Sequence, residues 1–344
     1  DDYLCCAVMD KISIIVPTYN RKMMLQRLLE SFSRLKCQCP LEFIIIDDCS
    51  DDGSEMMVET WKDTVNFAEV HYHRLPLRSG PARARNAGIT LSTGNILAFT
   101  DSDCVTDPLW VEQLYRQLIS NPSFAGAGGH VLPVQQDIYS LYNTVYRILE
   151  PPSHINAVIG ANCIFWKQPV VDVGMFDDYF FYPGGEEIAL CMKLWILGYR
   201  FGFEEHAVIY HDYRQNLKDF IKSFYHYGIG ERIIFENRLK EYLRYMTYPE
   251  QMHNYLAFKN FYLFLLIFIM RVVYGTIRQR TFLGTLQISK KQKYMLIGLF
   301  AIQNFSYHLG RGTFSGRLVR QVRKYAVTPS EYLNNPDYGP GKDL

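Results

Sequence analysis

The sequence predicts an α/β fold: a mostly parallel sheet flanked by helices, with a helical C-terminal extension. Three observations predict it. Short apolar runs rich in Ile and Val alternate with segments whose apolar residues recur at helical spacing. Three of those apolar runs end in polar clusters, at Thr18–Asn20, Asp47–Asp48 and Asp101–Asp103. From Leu217 onward the strand-like runs give way to helical patterns that mix basic and aromatic residues.

The elements follow in order. Ile12 to Val16 reads as a strand buried on both faces, and Pro17-Thr18-Tyr19-Asn20 as the loop after it. Arg21 to Leu35 sets Met24, Leu25, Leu28, Leu29 and Phe32 on one helical face. Phe43 to Ile46 is a second buried strand, running into the polar turn Asp47 to Ser54 with its helix-capping residues. A helix through Trp61, a strand at Val70 to His73, a helix at Pro81 to Leu91 and a strand at Ile96 to Thr100 continue the alternation. Asp107-Pro108 opens a helix to about Ile119. Ala125 to Tyr213 is glycine-rich and less regular, with a strand at Ala207 to Tyr210; Leu217 to Met246 is helical. In parallel sheets ligands bind beyond the carboxyl ends of the strands, where the three polar clusters fall. They are expected to form one site.

Composition narrows the function classes. The 344 residues are 48% hydrophobic and 21% charged, which fits a folded chain rather than a disordered one. A net charge of +1 gives no reason to expect a nucleic-acid partner. None of the eight cysteines has the spacing of a zinc knuckle, and reduced thiols in a cytoplasmic protein are expected. Residues 1–9 are acidic, lack a leader-like apolar stretch, and are read as a tail outside the fold. Residues 10–215 are expected to form the α/β domain, and 216–344 the helical region. Phe261–Met270 and Tyr294–Phe305 are apolar but shorter than the roughly 20 residues that cross a bilayer. Flanking bases (Arg271, Arg278, Arg280, Lys290, Lys291 and Lys293) point to the cytoplasmic face of a membrane. A true span, with Lys259 and Arg271 snorkelling to the headgroups, and a soluble helical core or homo-oligomer contact are the alternatives.

Asp101-Ser102-Asp103 is the first motif that carries chemistry. Two carboxylates at that spacing also serve as turn and cap chemistry. Directly after the strand ending Phe99-Thr100, they are placed to hold a hard divalent cation through oxygen. Such a cation binds diphosphates and neutralises the charge of one that leaves. Asp48 reads either as a helix cap or as an acceptor for a nucleobase. Arg78, Arg83 and Arg85 crowd the next loop, and guanidinium groups suit phosphate. No glycine-rich turn follows the first strand, which argues against a dinucleotide-dependent oxidoreductase and against a nucleotidyltransferase.

Taken in order, several segments resemble the inverting family 2 glycosyltransferases. They are Ile14-Ile15-Val16-Pro17-Thr18-Tyr19-Asn20-Arg21, Ile46 to Ser54, Gly80 to Gly88 and Phe99-Thr100-Asp101-Ser102-Asp103. Gly160-Ala161-Asn162, Gly174-Met175-Phe176-Asp177 and Gly184-Gly185-Glu186-Glu187-Ile188-Ala189-Leu190 follow. The resemblance runs from about residue 11 to 203; beyond 230 only the general habit of membrane-associated members is left. It implies the GT-A fold, a nucleotide-sugar donor (a UDP-sugar by family habit) and a glycan, lipid-linked or protein acceptor. It places Pro17, Thr18, Tyr19, Asn20 and Asp48 at the nucleobase and ribose, and Arg85 near the diphosphate. Asp101 and Asp103 would serve ribose, diphosphate and an Mg²⁺ or Mn²⁺ ion, with His211 a further candidate ligand. Gly160, Ala161 and Asn162 would lie near the sugar and acceptor.

The pair Glu186-Glu187 matches the family's Glu-Asp motif, whose second carboxylate is the general base. Glu187 departs from the usual Asp by one methylene. Three readings stay open: Glu187 is the base, Glu186 is the base, or the protein binds a nucleotide-sugar as a catalytically degenerate scaffold.

Overall fold

The structure is a computed structural model that describes residues 10–149, 157–213, 216–238, 274, 278–279 and 282–313. The tail at 1–9, the stretch Phe261–Met270 and the end of the helix expected to reach Met246 lie outside the described residues.

Eight strands form one sheet: β1 (Ile12–Thr18), β2 (Leu41–Asp47), β3 (Glu69–Arg74), β4 (Ile96–Phe99), β5 (Cys104–Thr106), β6 (Phe124–Pro133), β7 (Cys163–Trp166) and β8 (Arg200–His211). Their order is β3-β2-β1-β4-β7-β6-β8-β5. β1 runs parallel to both β2 and β4, and β2 to β3. Past β4 the pairing turns antiparallel, β4 to β7, β7 to β6 and β5 to β8. Helices α1 (Lys22–Phe32), α2 (Ser54–Lys62), α3 (Pro81–Leu91), α4 (Trp110–Ile119) and α6 (Lys167–Asp172) connect these strands, with α5 (Ile138–Tyr146) and α7 (Glu186–Ile196) in the later part. The chain continues in α8 (Leu217–Asn237) and α9 (Lys290–Thr313).

The first half is built as its periodicity requires. Ile12, Ile14, Ile15 and Val16 are buried, as are Phe43 to Ile46 and Ile96 to Phe99, so these strands are covered on both faces. α1 buries Leu25, Leu28, Leu29 and Phe32, and Phe32 stacks on Phe43 with ring centres 4.8 Å apart. β1 extends through Pro17 to Thr18, two residues past its apolar run. Its pairing with β4 ends at Ile15 opposite Phe99, so the missing N–H of Pro17 costs no bond on that side.

The glycine-rich region is regular after all. β6 reads Phe-Ala-Gly-Ala-Gly-Gly-His-Val-Leu-Pro, a composition depleted in strands. Close approach explains it. A Cβ on Gly126 would lie 2.6 Å from the Phe165 ring, and one on Gly129 would collide with the Ala207 carbonyl.

The chain divides into two compact units. Of the described residues, the first takes 10–132, 157–176 and 197–211, and the second takes 133–149, 177–196 and those from 212 on. The second unit recruits α5 and α7 as well as α8 and α9. Its core gathers Tyr142 of α5, Phe220 and Phe224 of α8, and Leu283, Leu296 and Leu299. Tyr294–Phe305 lies within α9, and among the described residues no helix is long and apolar enough to cross a membrane.

At the amino ends of the parallel strands, Glu42 is fully buried. Burial pushes its carboxyl up, but donors overcome that and hold it at about 2: the hydroxyls of Ser13 and Thr93 and the N–H groups of Thr93 and Gly94. A carboxyl below its unfolded value of 4.5 stabilises the fold above that pH, and the contribution is lost as pH falls from 4.5 towards 2. The shift corresponds to roughly 3 kcal/mol. Denaturant titrations from pH 6 to 2 are expected to show this loss, and Glu42→Gln to flatten it; an unchanged acid slope in the variant would assign the loss elsewhere.

Candidate functional site

Three strand ends in the first unit carry the candidate residues. At the end of β1, Thr18 is buried and its hydroxyl finds no partner among the described residues. The next ring, Tyr19, lies under the Arg78 guanidinium at 4.2 Å. Asn20 takes a left-handed φ of 48°, which Asn tolerates, and so turns towards the end of β2. Its N–H donates to the Ser50 hydroxyl at 2.8 Å, and its side-chain carbonyl accepts from the Asp51 N–H at 2.9 Å.

At the end of β2 two adjacent aspartates do different work. The Asp47 carboxylate accepts from the Ser50 N–H and hydroxyl and from the Tyr72 hydroxyl. Asp48 accepts from the backbone N–H groups of Ser79 at 2.5 Å and Gly80 at 2.8 Å, holding the start of α3. Burial nevertheless leaves its carboxyl above the ordinary carboxylate value, despite those two donors.

The third end, after β4, holds the charges. Asp101 Oδ1 accepts from Arg85 of α3 at 2.8 Å, and the Arg85 side chain is only 4% exposed. Asp103 is buried, its side chain 1% exposed. Its Oδ2 lies 2.5 Å from Arg21 Nη1, and its Oδ1 lies 3.4 Å from His211 Nε2. Strand register produces the second pair: β5 and β8 run antiparallel with Cys104 opposite His211, which sets the last residue of β8 beside Asp103. Donor atoms of Asp103, Cys104 and His211 lie within 4.8 Å of one another. Two ligand atoms each about 2.1 Å from one ion sit about 3 Å apart in an octahedral shell. The carboxylate and imidazole are close to that spacing. A hard cation prefers their oxygen and nitrogen to a thiol.

Asn162 is fully buried and holds elements together. Its carbonyl accepts from the Trp110 indole at 2.7 Å, and its amide donates to the carbonyls of His130 and Ala207. Asn162 thus ties the Gly160–Ala161 turn to Trp110, His130 and Ala207.

The second unit carries the glutamate pair at the start of α7. Gly184 and Gly185 have φ of 122° and 97°, a region that favours glycine. Glu186 is buried and its Oε2 accepts from the Gly184 N–H at 2.7 Å, folding back on the loop that leads to it. Glu187 follows within the first helical turn, where the helix dipole favours a carboxylate. Helix α8 fixes this loop. His226 stacks on Tyr182 at 4.3 Å and 19°, and Gly230 packs so closely that a Cβ there would collide with the Gly184 carbonyl.

Residues 13–173 match glycosyl transferase family 2. Those residues form a family 2 glycosyltransferase domain. The chain is similar to the pre-mycofactocin glycosyltransferase of Mycobacterium tuberculosis, 27% identical over 227 residues, covering 62% of this chain and 46% of that protein. A shorter match, 36% identical over 107 residues, joins it to the abequosyltransferase of Salmonella typhimurium, covering 30% of this chain and 32% of the relative. The chain thus spans under half the length of each of these relatives. In fold it is similar to a mannosyltransferase from Pyrobaculum calidifontis solved with GDP-Man and Mn²⁺. That likeness has a TM-score of 0.59 and 17% identity, and covers 89% of this chain and 88% of the other. The fold is GT-A.

Within the first unit the structure brings Thr18, Tyr19, Asn20, Asp48, Arg85, Asp101, Asp103 and His211 to one set of strand ends, with Pro17 one residue inside β1. Sequence reasoning quoted Arg21 in its motif but gave it no role, because its partner Asp103 lies 82 residues away. It also missed the grip of α8 on the Gly184 loop. The signal was present in Tyr227-Gly228-Ile229-Gly230, two glycines inside a helical run.

Gly230→Ala is therefore expected to lower the thermal midpoint, since overpacking costs about 1–3 kcal/mol. Gly298→Ala on α9, where an added Cβ meets nothing within 4 Å, is expected to raise it slightly. Equal midpoint changes in calorimetry would refute the close packing.

Proposed function

We propose that this chain transfers one sugar from a nucleoside diphosphate sugar, with a UDP-sugar as the favoured donor, to an acceptor hydroxyl with inversion. Polysaccharide or glycoconjugate synthesis is the setting, at the cytoplasmic face of a membrane, with a glycan, lipid-linked or protein acceptor. The observation that carries the reading is the buried Asp103 with His211 at 3.4 Å, at the end of β4 beside the Arg85–Asp101 pair.

Each residue then has a task. Pro17, Thr18, Tyr19 and Asn20 line the nucleobase and ribose. The Thr18 hydroxyl, buried without a partner among the described residues, is available to a ligand. Asp48 holds the start of α3 and keeps lone pairs for a base N–H. Arg85 orients Asp101 near ribose and diphosphate. Asp103 and His211 would hold Mg²⁺ or Mn²⁺. When bound, that ion neutralises the charge on the departing diphosphate. Gly160 and Ala161 would border the sugar.

Glu187 is the base that takes the acceptor proton. What supports it over Glu186 is that Glu186 is buried against the Gly184 N–H. Glu187 reaches further than Asp, so the turn from Gly184 to Glu186 has to set the carboxylate back. In a homo-oligomer, contacts through the helical region are the favoured arrangement.

Thermal shift with UDP, GDP, dTDP and CDP, each with and without Mn²⁺, tests the donor site. One nucleotide is expected to stabilise the protein when the ion is present, by about 2.7 kcal/mol at a hundredfold excess over Kd. Asp103→Ala is expected to abolish the ion-dependent part; a full shift in that variant would remove Asp103 from the site. Glu187→Gln is expected to keep the nucleotide shift and lose about 10²- to 10⁴-fold in transfer rate. Glu186→Gln is expected to cost stability first. Nucleotide binding with no transfer by the wild type to any acceptor would favour the degenerate scaffold instead.

A further inference from the structure

We propose that Arg21 is an exchangeable counter-ion: it neutralises Asp103 before the donor arrives, and releases that carboxylate in return for the donor's diphosphate. The proposal rests on the donor-site reading above.

The starting point is charge. A carboxylate 1% exposed is costly unless a positive group faces it, and Arg21 Nη1 does so at 2.5 Å. Arg21 occupies the oxygen, Oδ2, that lies away from the His211 contact at Oδ1. In this arrangement the carboxylate that would serve a divalent ion is already paired with a monovalent one.

Placement argues that the pair is made to open. Arg21 is the cap position of α1, and its carbonyl accepts the first helical N–H bonds, from Met24 and Leu25. A helix amino end is electropositive and disfavours a cation. The first turn of α1 contains no acidic residue of its own and begins with Lys22; the anions there, Asp52 on the Lys22 N–H and Asp103 on Arg21, come from other segments. Arg21 is therefore held there by an anion from elsewhere in the fold. It directly follows Tyr19 and Asn20, and its side chain is 29% exposed where Asp103 is sealed. A planar guanidinium with five N–H donors matches phosphate oxygens as well as a carboxylate. A diphosphate entering beside Tyr19 carries more negative charge than Asp103 and lies on the exposed side of the guanidinium. Arg21 turns to it, and Asp103 becomes available.

The exchange predicts coupling between ligands. An ion alone has to compete with Arg21; an ion arriving with a nucleoside diphosphate does not. Without Arg21 the first step is easier and the second loses a phosphate contact.

The test uses the full chain, MnCl₂ followed by the electron paramagnetic resonance of free Mn²⁺, and the nucleoside diphosphate selected by thermal shift. Arg21→Gln is expected to bind Mn²⁺ alone about tenfold more tightly than wild type, to bind the nucleotide about tenfold less tightly, and so to show weaker coupling. Arg21→Lys keeps the charge, and is expected to keep Mn²⁺ binding weak while recovering part of the nucleotide affinity. It also serves if the Gln variant fails to fold. Mn²⁺ affinity in a folded Arg21→Gln protein equal to or below wild type would overturn the exchange. A wild type that binds the nucleotide but no Mn²⁺ with it would overturn the cation reading of Asp103, and the exchange with it. A wild type that binds neither would sink the donor site itself.

Discussion

Burying Asp103 is the constraint around which the first unit is arranged. Its side chain is almost sealed, and an uncompensated charge at that depth would destabilise the fold by several kcal/mol. Partners for it come from two directions that the chain can supply only when folded. Arg21 arrives from the β1–α1 junction, and His211 from the far end of β8 through the β5–β8 register. One turn earlier, Asp101 faces Arg85 from α3. Carboxylates and cations therefore alternate at the end of β4, and no element contributes both members of a pair. The sheet order that sets β4 at its middle and β5 against β8 is what makes the charge distribution affordable.

The loops around these charges are tied to one another more than to the strands they leave. Asn20 holds Ser50 and Asp51; Ser50 holds Asp47; Asp47 holds Tyr72; Asp48 holds the start of α3. Asp52 accepts from the Lys22 N–H at 2.8 Å and so satisfies an amide at the start of α1 that the helix cannot. Aspartates that look like ligands in the sequence are thus partly struts. For a binding site this is useful, because groups locked by their own hydrogen bonds need not be ordered when a ligand arrives.

What could be read from the sequence follows from the range of each signal. β1, β2, β4, α1 and α3 are visible because periodicity is local, and the polar clusters are visible because they interrupt it. Asp103 and His211 stand out by position, each just after an apolar run. β6 does not, since its glycines answer to Phe165 and Ala207, which are distant in sequence. Arg21 is hidden for the same reason. Asn162 shows the converse limit: a sequence displays an amide's donors and acceptor but not which way they face, and here they face Trp110, His130 and Ala207. The boundary read at 215/216 follows the change of pattern, which is a local signal; the packing of Tyr142 of α5 into the core of the later unit is a distant one.

That last point bears on what the C-terminal helices are for. Gly228 and Gly230 are two residues apart, so they point to nearly opposite sides of α8. A Cβ on Gly228 would collide with the Tyr307 carbonyl of α9; one on Gly230 would collide with the Gly184 carbonyl. Gly310 of α9 meets the Tyr225 carbonyl in the same way, and Glu231 binds Arg311 at 2.7 Å across the two helices. Backbone lies against backbone on both sides, and such contacts leave little room for adjustment because no side chain can rotate to absorb a shift. The position of α9 is thereby passed through α8 to the Gly184–Gly185 turn, and from that turn to Glu186 and Glu187. Helices that resemble an appended module in the sequence are, within their own unit, the support on which the glutamate pair is placed.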